Sequence, residues 1–136
     1  MSKLNWLSRA LIYGPRLLLC TDEIQFIKAL KEIGQVRHEF LPDAEGMMTY
    51  TYINTDVGGI VCIICMDIDH WVKQPSLDTA MVLVHESVHV WQHFKDYIGE
   101  AEPSKEFEAY AIGNISRALM EAYCEQATRA SVGDRE

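Results

Sequence analysis

Residues 80 to 94 read AMVLVHESVHVWQHF, an apolar segment with three histidines and a glutamate set into it. Ser76, just after Pro75, can cap a helix running to about Tyr97, with Gly99 as its stop. A segment this apolar is expected to be buried. Burying imidazoles together with a carboxylate costs free energy unless something compensates them all. Any fold for this chain must bury the helix and satisfy those polar groups.

The remaining residues supply the packing partners. At 136 residues and 49% apolar content, the chain fits one domain over residues 1–136. Thr21 can cap a helix to about Ile33, with Ile24, Ile27, Leu30 and Ile33 at helical spacing and Gly34 as the stop. Residues 3 to 13 fit a short helix, and Arg16 to Cys20 a strand or loop. Pro42 leads into a polar turn, DAEG. Met47 to Asn54 and Gly59 to Met66 carry strand formers on either side of TDVGG, a hairpin signal. Ser104 follows Pro103 and can cap a last helix, with Phe107, Ala111, Ile115, Ala118, Leu119 and Ala122 in one apolar stripe. The expected fold is α+β: a small antiparallel sheet packed against two long antiparallel helices.

Charge and cysteine usage narrow the function classes. A formal net charge of -8 disfavours nucleic acid as a partner. No window reaches the roughly 18 apolar residues of a membrane span, and Gly14, Pro15 and Arg16 interrupt the N-terminal apolar stretch. These features point to a protein made without export and located in a cytoplasm, of the host or otherwise. Cys62 and Cys65 form a C-x-x-C inside an apolar run. In a strand their sulfurs point to opposite faces, so with Cys20 they read as buried free thiols.

The chemistry resides in residues 85 to 89, His-Glu-Ser-Val-His. On a helix, His85 and His89 stand one turn apart on one face, so both imidazoles can reach one Zn2+. Glu86, beside the first ligand, can take a proton from a water polarised by that ion. His93 would sit about 12 Å along the axis from His85, too far to share the ion. A third ligand would then come from the last helix, whose start reads PSKEFEAY. Periodicity places Glu108 in the apolar stripe and Glu106 toward the polar side. The small Ala109 and Gly113 beside Glu106 would allow close helix approach.

An H-E-x-x-H helix followed by a helix bearing E-x-x-A resembles the gluzincin metallopeptidases. That resemblance implies Glu106 as the third zinc ligand, Ala109 as the alanine, and Tyr110 in place of the usual Asp. It also implies a catalytic role for Glu86 and a peptide or protein substrate. The longer pattern LVHESVHVWQ, then IGE, then PSKEFEAY is similar to small proteins of tailed phages and prophages, over about residues 35 to 125. A zinc-dependent metallopeptidase is therefore the expected function. The alternatives are a phage or prophage assembly or interaction protein with a structural or vestigial zinc site, which would need the ligands but not Glu86, and a toxin-like effector. Asp67, Asp69 and His70 read as a solvated loop, and Trp71, Trp91 and Tyr97 as packing aromatics.

Overall fold

The computed structural model describes residues 4–7, 14–42 and 46–133. In chain order the elements are β1 (Arg16–Cys20), α1 (Glu23–Ile33), β2 (Met47–Tyr52), β3 (Val61–Met66), α2 (Ile68–Trp71), α3 (Ser76–Tyr97) and α4 (Lys105–Gly133). All six residues of β3 are buried. A strand with no polar side chain to turn outward needs cover on both faces.

Cover comes from two separate cores. Cys62, Ile64 and Met66 point to one face and pack with Leu17, Leu19 and Met47 against Leu83, Val90 and Trp91 of α3 and Ile115 and Leu119 of α4. Val61, Ile63 and Cys65 point to the other and pack with Leu18 and Cys20 against Phe26, Ala29, Leu30 and Ile33 of α1. Cys62 and Cys65 thus lie on opposite sides of the sheet, as their spacing requires. α1 covers one face while α3 and α4 cover the other, with α3 over β2 and α4 over β1.

The class is α+β, but the sheet is mixed. The strand order is β1-β3-β2. β2 pairs antiparallel with β3 from Met47↔Met66 to Tyr52↔Val61. β1 pairs parallel with β3, from Arg16↔Val61 to Cys20↔Cys65. A parallel neighbour needs a long crossover, which α1 and β2 supply. The connection between β2 and β3 spans residues 53–60, longer than TDVGG, with Asn54, Gly58 and Gly59 at positive φ.

Other boundaries shift for local reasons. Asp22, not Thr21, caps α1, its carboxylate accepting from Gln25 N at 2.8 Å. Gly34 closes α1 at φ 73°. The positive φ favours glycine, and a Cβ there would also run into the Asp56 carboxylate, which would have to shift. Pro75, not Ser76, bounds α3, and no side chain caps it. Ser104 does cap α4, its hydroxyl accepting from Phe107 N at 3.2 Å. Leu7 bridges Leu17 antiparallel, so the chain is extended there rather than helical. Most of the expected N-terminal helix (residues 8–13) and the turn DAEG (43–45) lie outside the described residues. Asp67, Asp69 and His70 are exposed, but α2 is a single helical turn capped by Asp67 rather than a loop.

Cys20, Cys62 and Cys65 are buried free thiols, and Cys124 is exposed. Burial, reinforced by Asp22, pushes Cys20 up to about 12. Burial also pushes Cys62 up to about 12 against the opposing hydroxyl of Thr51. Cys65 is raised by burial and by Cys20. Such thiols keep their protons in the folded chain at a pH where the unfolded chain has lost them. Their stabilisation is complete below the unfolded value near 9 and fades as pH climbs toward the folded ones. Urea unfolding is therefore expected to weaken from pH 9 upward, by at most about 1.4 kcal/mol per thiol per pH unit. In native protein at pH 8 a thiol reagent should modify Cys124 alone; rapid labelling of a second cysteine would contradict this burial.

Candidate functional site

The buried stripe of α3 is Thr79, Leu83, Glu86, Ser87, Val90, Trp91 and Phe94. Two polar members are satisfied at once: Ser87 Oγ donates to Leu83 O at 2.7 Å, and Thr79 Oγ1 to Trp71 O at 3.2 Å. Glu86, 6% exposed, is the acidic side chain in this core. Thr49 Oγ1 on β2 donates to its Oε2. Among the described residues its Oε1 has no hydrogen-bond partner.

The two histidines behave differently from the glutamate between them. His85 is exposed and His89 half-buried, whereas the sequence suggested that the whole segment would be covered. The helix is buried along one stripe only. Met81 and Val84 lie on the outer face with the imidazoles and account for the apolar appearance of the run. His85 Nε2 and His89 Nε2 approach to 3.1 Å. Two nitrogens sharing a tetrahedral ion at about 2.0–2.1 Å would stand roughly 3.3 Å apart. His89 Nδ1 faces Gln92 Oε1 at 3.3 Å. With the amide oxygen so placed, Nδ1 would donate to it and leave the Nε2 lone pair toward His85.

α4 lies on the other side of α3. Trp91 Nε1 donates to Glu108 Oε2 at 2.8 Å, and its ring meets Phe107 at 5.7 Å. At 100° per residue, His85 and His89 leave α3 about 120° and 160° round from Trp91. They leave the helix on the side away from Trp91, outside its buried stripe. Glu106 is exposed in the first turn of α4. Glu108 faces inward, as periodicity suggested, and meets an indole. Neither carboxylate is brought to the imidazoles, and among the described residues no three of His, Cys, Asp and Glu converge on a point.

Two features escaped sequence reasoning. Thr49 is visible only as an alternation: Met47, Thr49 and Thr51 face α3, while Tyr50 and Tyr52 face α1. Trp91 carried a clearer signal, since a buried indole N–H needs an acceptor and Glu108 is the inward carboxylate of the next helix. Among the described strands β2 ends the sheet order on one side, and Glu86 bonds to it. No helix among the described residues is long and apolar enough to cross a membrane. No protein-family model matches the chain, and neither does any curated protein or solved structure.

Proposed function

We propose that the chain is a zinc-dependent hydrolase, most simply a metallopeptidase, with His85 and His89 as metal ligands and Glu86 as general base. One observation carries the reading: two imidazole nitrogens apposed at 3.1 Å beside a buried carboxylate with one oxygen free. The two imidazoles fit a borderline cation such as Zn2+. Among the described residues neither Glu106 nor any other His, Cys, Asp or Glu joins the pair as a third ligand. Zinc, when bound, would polarise a carbonyl and lower the cost of deprotonating water.

The chain's own residues would supply the rest. Oε1 of Glu86 would take the proton of the attacking water and pass it to the leaving amine. Gln92 would orient the His89 ring through Nδ1. Glu86 bonds to β2, the last strand in the sheet order, and an extended peptide adding to β2 is the binding mode that would bring carbonyls toward it.

Zinc titration into the purified chain tests this proposal together with a fluorescent-casein assay. One equivalent should bind and support cleavage. His85→Ala and His89→Ala should each lose both, while Glu106→Gln should keep its zinc. Tight binding that survives both histidine changes would refute the assignment.

A further inference from the structure

We propose that Thr49 is a positioning residue for Glu86, holding Oε2 so that Oε1 is the oxygen left to take a proton. This rests on the reading of Glu86 as a general base. Across the ladder Thr49 pairs with Ile64, and the same face of β3 carries Cys62 and Met66. A valine would have the same shape and would suit those neighbours better. The hydroxyl has one use on this face, to donate to Glu86 Oε2.

The direction of that hydroxyl is well fixed. A β-branched side chain in a strand has restricted χ1, so the strand dictates where Oγ1 points. β2 is paired to β3 over all six residues, and β3 is the buried centre of the sheet. The donor is thereby anchored to the most rigid element of the fold. Glu86 has a flexible side chain and no other partner among the described residues. Without Thr49 its carboxylate would be free to swing out of an apolar surrounding toward water. A substrate strand on the edge of β2 would be held by the same strand that holds the base. The separation of substrate and Oε1 is then set by β2 rather than by the packing of α3 on the sheet. General bases lose efficiency steeply when misplaced, since positioned proton transfer contributes about 10²–10⁴ in rate.

The test compares Thr49→Val with Thr49→Ser in the full chain loaded with one equivalent of Zn2+. Kinetics on fluorescent casein should show kcat lowered about tenfold to a hundredfold in Thr49→Val, with KM within about twofold and zinc content unchanged. Thr49→Ser, which keeps the donor, should recover most of the loss. A residue that merely stabilised the fold would leave kcat per folded, zinc-loaded molecule unaltered. Crystal structures of both variants form the second arm: the Glu86 carboxylate should leave its position in Thr49→Val and keep it in Thr49→Ser. An unmoved Glu86 in Thr49→Val, or equal damage from valine and serine, overturns the proposal. If the wild type cleaves nothing while Glu86 still moves only in Thr49→Val, the positioning contact stands and the hydrolase reading falls.

Discussion

Glu86→Gln is expected to abolish hydrolysis by the zinc-loaded chain, lowering kcat by about 10²–10⁴, while zinc content stays at one equivalent. Glutamine has nearly the same shape, and its amide oxygen can still accept from the Thr49 hydroxyl. The imidazole pair one residue away and three residues on is untouched. Exchanging a charged acceptor for a neutral one should cost about 1 kcal/mol of stability, too little to empty the folded state. What the variant loses is the capacity to take a proton and give it back. Steady-state cleavage of fluorescent casein, read beside metal content by mass spectrometry, separates the outcomes. A zinc site that served only as a structural staple would hold its metal in both forms and show no cleavage to lose. A glutamine variant retaining more than a tenth of wild-type kcat would remove Glu86 from the chemistry.

Much of the architecture was legible because the hydrophobic pattern is strong where the fold is most constrained. The run Ile60–Met66 has no polar residue, so a fully buried strand follows from it. Of the stripe on α4, Ala111, Ile115, Leu119 and Ala122 are buried, whereas Ala118 is half-buried and Phe107, in the first turn, is exposed. The parallel pairing of β1 was not legible, because a five-residue apolar segment carries no record of which strand it joins or in which direction. Around the candidate site, local spacing sufficed to bring His85 and His89 together, since one helical turn fixes that distance. It did not suffice for α4. Family resemblance favoured Glu106 and periodicity favoured Glu108, yet which helix face meets which is decided by the sheet beneath. With α3 over β2 and α4 over β1, neither carboxylate joins the imidazoles among the described residues. Exposure of the histidines was misjudged for a related reason. Met81 is 65% exposed and Leu77 83%, so the apolar character of α3 exceeds what its core stripe needs.

The largest stability effect is expected at Trp91, where α3 and α4 are joined. Its side chain is 1% exposed and contacts the rings of Phe94 and Phe107. Trp91→Ala should cost about 3–5 kcal/mol through the lost burial and the cavity left behind. For a domain of this size that corresponds to roughly 10–20 °C in Tm. Trp91→Phe separates packing from polar pairing, since it keeps a ring but deletes the donor to the half-buried Glu108. A hydrogen bond to a charged group contributes about 1.5–3 kcal/mol, so the phenylalanine variant should lose close to that amount. Glu108→Gln preserves an acceptor and should be milder. Glu108→Leu in the Trp91→Phe background should recover stability by leaving an apolar contact in place of an unpaired carboxylate. Thermal and urea unfolding of the four variants measures each step. If Trp91→Phe melts with the wild type, the indole–carboxylate bond does not fasten α4, and ring packing alone holds the two helices together.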